Sequence, residues 1–387
     1  VKAAMSMSFF MTATLALSAV AADLQPPLTE DQVRESIERG VTFLVGDQNP
    51  DGSWGGPQNA VYTFTGAVWS NPETHRSWKV ATTALCVMAL REVGRSEEAR
   101  TAMEKGIDYL VANSDVKRPS EWDTMNSWAY MYALQALADV SADPRYANSP
   151  LAESIRDAAA KNFDYLARFQ SINGGWGYLE FNAPRTRRPQ WGTSFTTASA
   201  VVAMAVARDH GLGIDKEVLN RAVRTVARCR LPNGAFTYNV RAIPNLHSEY
   251  IDQVKGSLSR IQVCHIALLL GGQDVPYDDL KAGLDSFFKH HRFLDIARNK
   301  PIPHENYYFN SGYFYLYGHY YAAMVIERLR PEDQAEYWPK LQYEVVKLQQ
   351  ADGSMWDYDM HNYHKAYGTA FSLMTLGRSV RTDKDTG

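Results

Sequence analysis

A frame of fixed internal spacing recurs along this chain and restricts it to repeated architecture. It reads Arg39, Phe43, Leu44, Gln48 and Asp51-Gly52-Ser53-Trp54 in one place, and Lys161, Tyr165, Leu166, Gln170 and Asn173-Gly174-Gly175-Trp176 in another. Two weaker copies keep the frame. One has Arg221, then Arg230 at the Gln position, Gly234 and Phe236; the other has Lys340, Gln349, Asp352-Gly353-Ser354 and a Trp356 one residue late. Repetition at a fixed frame means repeated structural units. The aromatic and Leu end an amphipathic helix and the Gly supplies a positive-φ turn. The Gln amide and the Trp ring then clamp that turn by hydrogen bonding and packing. Such a clamp staples helices together; it speaks to fold, not to chemistry.

Between the clamped turns lie apolar segments of helical character at 83–90, 128–134, 197–204, 263–270, 318–326 and 369–376. A helix that is apolar nearly all round is covered on all sides, so these six are expected inside. Their amphipathic partners, expected outside, fall near 31–47, 96–113, 152–169, 216–229, 278–291 and 331–350. Strand-like alternation is scarce, and no low-complexity linker divides the chain. The sequence therefore predicts one all-α domain over about 28–380, with a polar, frayed tail at 381–387.

Composition excludes some functions. With a net charge of −3 and no basic run or basic-aromatic stripe, nothing favours nucleic acid. Lys2, the apolar stretch 9–20 and the small residues Ala19, Val20 and Ala21 have the layout of a cleavable secretory signal. Segment 1–21 is thus expected to be removed, leaving an exported protein without a transmembrane segment. Cys86, Cys229 and Cys264 are far apart within helical patterns, which suits small apolar residues at helix interfaces; a single Cys86–Cys264 or Cys229–Cys264 bridge stays open.

The repeated frame resembles the QW-type repeats of the squalene cyclase and protein prenyltransferase superfamily over nearly the whole mature chain. The resemblance implies an (α/α)6 toroid: six helical hairpins forming an inner and an outer ring. It also implies a ligand site at the mouth where the inner helices begin. Squalene-hopene-type cyclases carry Asp-x-Asp-Asp-Thr at a comparable helix start, the middle Asp protonating an alkene. Carried onto Glu121-Trp122-Asp123-Thr124, Glu121 takes the first Asp and Asp123 the acid, while Thr124 replaces the next Asp. Prenyltransferase β subunits bind zinc through Asp, Cys and His at the same mouth, and His364 resembles that His. No Cys here has an Asp two residues before it, so neither a metal nor a cofactor is expected.

The residues themselves add further candidates. Asp357, Asp359, His361 and His364 stand within eight residues, with Asp359 a second carboxylate for acid–base work. The run from His304 to Tyr321 is the most aromatic stretch of the chain, contributing Tyr313, Tyr317 and His319. Trp78, Trp128, Trp191 and Arg260 are placed at the same mouth by the frame. Helix N-termini carry partial positive charge, and aromatic faces hold isoprenoids, cations or sugars. The expected ligand is a small hydrophobic molecule, with isoprenoid cyclase-like activity as one outcome. A peptide- or glycan-binding scaffold at the cell surface, or a glycan-processing enzyme, are the alternatives.

Overall fold

The computed structural model describes residues 26–58, 71–180, 188–241 and 250–380, so the expected signal segment and the tail 381–387 lie outside the described residues. Helices alternate between outer and inner positions along the chain. The first pair is α1 (Glu30–Gly46) with α2 (Pro72–Val93), and the second is α3 (Glu97–Asn113) with α4 (Asn126–Ser141), after which comes the single turn α5 (Pro144–Ala147). The next are α6 (Ala152–Phe169) with α7 (Ser194–Asp209) and α8 (Lys216–Arg228) with α9 (Leu258–Leu270). Then come α10 (Tyr277–Lys289), the short α11 (Arg292–Arg298) and α12 (Phe314–Ile326), and finally α13 (Pro331–Val346) with α14 (His364–Ser379). Among the described residues there are only isolated β-bridges and no strands.

The inner helices close a ring. α2 packs on α4, α4 on α7, α7 on α9, α9 on α12, α12 on α14, and α14 back on α2. Outer helices fill the clefts behind them, α1 against α14 and α2, α8 against α7 and α9, α13 against α12 and α14. This is the expected α/α toroid. Every residue of α12 is buried, as an inner helix with no solvent face requires. Inner helices extend beyond their apolar cores because polar residues begin them: the Asn71 side chain accepts from Glu73 N and Pro72 takes the first helical position of α2.

The repeated frame has one geometry. Gln48 Nε2 donates to the Gly52 carbonyl of its own turn (2.9 Å) and to the Ala102 carbonyl of α3 (2.7 Å). Gln170 does the same to Gly174 and to Val218 of α8, and Gln349 to Gly353 and to Ser36 of α1. Each amide thus ties one outer helix to the next, and the last ties the end of the chain to its start. The Trp54 indole N–H donates to the Leu44 carbonyl (2.7 Å) and the Trp176 indole to Leu166 (3.0 Å), satisfying carbonyls left free at a helix end. At the clamp position the backbone N–H reaches a hydroxyl on the following inner helix or its cap: Thr83, Thr197, Ser257 or Thr369. Gly52 and Gly353 adopt φ of 85° and 88°, and a Cβ there would meet backbone oxygens at 2.5 and 2.4 Å.

In the fourth copy Met355, not Trp356, occupies the clamp position. Met355 is fully buried six residues after Gln349, whereas Trp356 is half-buried with its ring edge on His364. The spacing from Gln fixes which residue points inward, and a flexible thioether fills the space an indole takes elsewhere. The three cysteines are buried free thiols, and no helix among the described residues is long and apolar enough to cross a membrane.

Candidate functional site

A cavity of about 370 Å³ opens among the inner helices, walled by residues of α2, α4, α7, α12 and α14 and by the loops that lead into them. α2 supplies Trp78, Ala81, Thr82 and Leu85; Met125 and α4 supply Trp128 and Tyr132; Tyr178, Leu179 and Phe195 come from the α7 side. The opposite wall is Pro303, His304, Tyr313, Phe314 and Tyr317, completed by Tyr358, Asp359 and Met360 and by Tyr367 and Phe371 of α14. From Trp78 to Leu85 the wall descends about 10 Å at the helical rise of 1.5 Å per residue. The rings brace one another: Phe195 meets Phe314 edge-on at 5.0 Å, and Trp128 stacks on Tyr132 at 5.8 Å. Among the described residues no Lys or Arg contributes to this wall.

One polar constellation faces the cavity. His304 Nδ1 lies 2.7 Å from the Phe309 carbonyl, which can only accept, so the imidazole proton sits on Nδ1 and Nε2 is left as the acceptor. Tyr313 Oη is 2.8 Å and Tyr238 Oη 3.2 Å from that Nε2, and Tyr238 is bonded in turn to the Tyr178 hydroxyl. Burial pushes the His304 imidazole below its ordinary value, which keeps it neutral. His304 takes a positive φ of 62°, a conformation costly for a residue with a Cβ, and its bonds to Phe309 and to Ser311 hold it there.

The carboxylates divide by environment. Asp123 is fully buried; one oxygen accepts from the Thr74 hydroxyl and the other from Met125 N (2.8 Å). Burial drives its carboxyl up to about 6, against the lowering by these bonds and by the Arg118 charge. It stands directly behind the wall, two residues before Met125 and paired through the backbone with Leu179, but it is not a wall residue. Glu121 is exposed, and its carbonyl accepts from Arg118. Asp359 does reach the wall, at the rim, with its side chain 71% exposed. Asp357 is fully buried, accepting from Leu316 N (2.8 Å) and the Tyr367 hydroxyl (3.1 Å), and burial pushes it up to about 7.

Of the residues singled out in the sequence, Trp78, Trp128, Tyr313, Tyr317 and Asp359 meet in the wall. His319 does not. Its Nδ1 donates to the Tyr315 carbonyl and its Nε2 faces His291 Nε2 at 3.0 Å, so it points outward from the ring. Arg260 is buried behind the wall, donating to the Phe236 and Ile251 carbonyls with its guanidinium over the Tyr238 ring at 5.3 Å. Trp191 donates to Asn239 and packs edge-on against Tyr178, one layer back. His361 sits at the rim against His75 (4.9 Å) and Trp78, and His364 Nδ1 donates to the His361 carbonyl, 3.5 Å from Asp359. Tyr178, Phe195, His304, Tyr367 and Phe371 were not foreseen, although His304 opens the aromatic run that drew attention to its neighbours.

Away from the cavity, His291, Asp295 and Glu344 converge closely enough to hold a cation, on the outer side of the ring. Lys347 already places its ammonium there, 2.8 Å from Asp295 and bonded to Glu344. Burial pushes the Asp295 carboxyl up, but His291 and Lys347 outweigh it and hold it well below the usual range.

No protein-family model and no curated protein sequence matches the chain. Solved structures do resemble it. A variant of the type II terpene cyclase MstE from Scytonema, in complex with its substrate geranylgeranyl dihydroxybenzoate, is 14% identical at a TM-score of 0.52, covering 90% of this chain and 98% of that one. The GH76A alpha-1,6-mannanase from Salegentibacter sp. HEL1_6 is 12% identical at 0.52, covering 89% and 98%. A possible member of the GH105 family from Salmonella enterica serovar Paratyphi A is 11% identical at 0.51, covering 96% and 98%. At these identities the likeness is one of fold, shared by a terpene cyclase and by glycan-directed proteins alike, and the choice between them falls to the cavity itself.

Proposed function

We propose that this protein binds a largely apolar molecule of isoprenoid type inside the toroid. The observation that carries the reading is the wall: aromatic rings and aliphatic side chains, with no Lys or Arg among its described residues. A sugar would leave hydroxyls facing Leu85, Phe371 and Phe195 without partners, at a cost of roughly 1–3 kcal/mol for each unsatisfied group. An isoprenoid chain loses nothing there and gains apolar burial at about 25 cal/mol per Å².

A cyclase-like activity is the second reading, favoured by Asp123. Its buried carboxyl, raised to about 6, keeps a proton more readily than a solvated aspartate, and it adjoins the wall through Met125 and Leu179. The ring faces would stabilise positive charge developing on carbon. The layout of residues 1–21 makes export part of the proposal.

The test is displacement of Nile red, a neutral dye of apolar sites, from the purified protein by geranylgeraniol or by a manno-oligosaccharide. The isoprenoid should displace the dye at one molecule per chain. Displacement by the sugar alone would transfer the cavity to the glycan reading.

A further inference from the structure

We propose that Tyr313 and His304 form a proton-accepting station at the polar end of the cavity, so that the ligand carries a head group that donates a hydrogen bond or bears positive charge, and anionic heads are turned away. The proposal rests on the isoprenoid reading and adds the chemistry of the head.

It follows from counting protons. The Phe309 carbonyl takes the Nδ1 proton of His304, so Nε2 has a lone pair and no hydrogen, and the Tyr313 hydroxyl 2.8 Å away spends its proton on it. What Tyr313 turns toward a ligand is therefore oxygen lone pairs. Other wall tyrosines also have protein partners for their hydroxyls. Tyr358 donates to the Pro301 carbonyl (2.9 Å), and Tyr317 has the Ser199 hydroxyl (2.9 Å) and the Phe195 carbonyl (3.1 Å) as its partners. Tyr367 has the Asp357 carboxyl and the Tyr358 carbonyl as its two partners. The Pro301 carbonyl, which can only accept, holds the Tyr358 hydroxyl hydrogen in place.

The wall residues themselves have the same sign. Aromatic faces are electron-rich, Asp359 brings a carboxylate to the rim, and among the described residues no Lys or Arg in the wall offsets them. Arg260 lies behind the wall, its guanidinium donating to the Phe236 and Ile251 carbonyls and lying over the Tyr238 ring. A carboxylate or phosphate head would thus lose its water and find lone pairs and negative charge. A hydroxyl or an ammonium would find acceptors.

Four probes with comparable isoprenoid chains test this at pH 7.5 by Nile red displacement: geranylgeraniol, geranylgeranylamine, geranylgeranoic acid and the hydrocarbon phytane. The amine and the alcohol should compete at concentrations at least about tenfold lower than the acid, the worth of one hydrogen bond. Tyr313→Phe should weaken the alcohol about tenfold and leave phytane unchanged, and Asp359→Asn should narrow the gap between amine and acid. Equal competition by alcohol, amine and acid, or tightest binding of the acid, overturns the proposal. So does a Tyr313→Phe protein, folded by circular dichroism, that weakens all four probes alike, since that is the result of a merely structural role. Failure of every probe, phytane included, removes the isoprenoid reading and the station with it.

Discussion

Replacing Trp54 by Ala tests the physical account of the repeated frame. The ring is fully buried, packs against Gly106 of α3 and donates its N–H to the Leu44 carbonyl at the end of α1. Truncating a buried Trp costs about 3–5 kcal/mol through lost contacts and the void left behind. Orphaning the Leu44 carbonyl adds about 1 kcal/mol. The expected loss is therefore about 4–6 kcal/mol, and Trp176→Ala should match it, because Trp176 has the same burial and the same bond to Leu166. Trp356→Ala is the internal control. Trp356 lies one residue past the clamp position and only edges His364, so its loss should cost about 1–2 kcal/mol. Urea unfolding followed by far-UV circular dichroism measures all three. A cost below 1 kcal/mol for both clamp residues, or a Trp356→Ala loss equal to theirs, would refute the reasoning.

Four further outcomes follow. Ala81→Phe places a ring in open cavity space, so it should weaken geranylgeraniol binding more than tenfold while the melting temperature stays within a few degrees. Asp357 carries a native carboxyl raised to about 7 from 3.8, so the folded state binds more protons than the unfolded and stability falls as pH rises between those values. Asp357→Asn, which keeps an acceptor for Leu316 N, should accordingly raise the urea midpoint at pH 8 and leave it nearly unchanged at pH 4; an equal effect at both pH values contradicts the burial argument. If the protein turns over an isoprenoid, Asp123→Asn should abolish product by mass spectrometry while retaining ligand binding, and full activity in that variant removes Asp123 as proton source. Export predicts that the protein recovered from its native host has an N-terminus near Ala22, and an intact leader on a cytoplasmic protein would remove that part of the proposal.

The toroid was legible because each repeat must solve the same problem: ending an outer helix, turning on a Gly, and entering a buried helix. Gln48, Gln170 and Gln349 write that solution at one spacing. The site was legible only in part. α12 is apolar on every face, so periodicity could not tell which of its residues look inward. Tyr313, Phe314 and Tyr317 do, whereas Tyr315 and His319 look out toward Glu344 and His291. Arg260 and Trp191, expected at the mouth, lie behind the wall, because sequence position does not set distance from the barrel axis. His304 gave no helical phase to read: it lies in a loop with positive φ, held by its near neighbours Phe309 and Tyr313 and by the distant Tyr238.

The central claim is that an apolar ligand lies inside the ring with its head at Tyr313. A crystal structure of the protein with geranylgeraniol tests it most directly. The account predicts a chain running down between Leu85, Tyr132 and Phe371, with the alcohol oxygen within hydrogen-bond distance of Tyr313 Oη. Ligand density confined to the outer helices, or a head group buried at Leu85 with the tail at the rim, would contradict it.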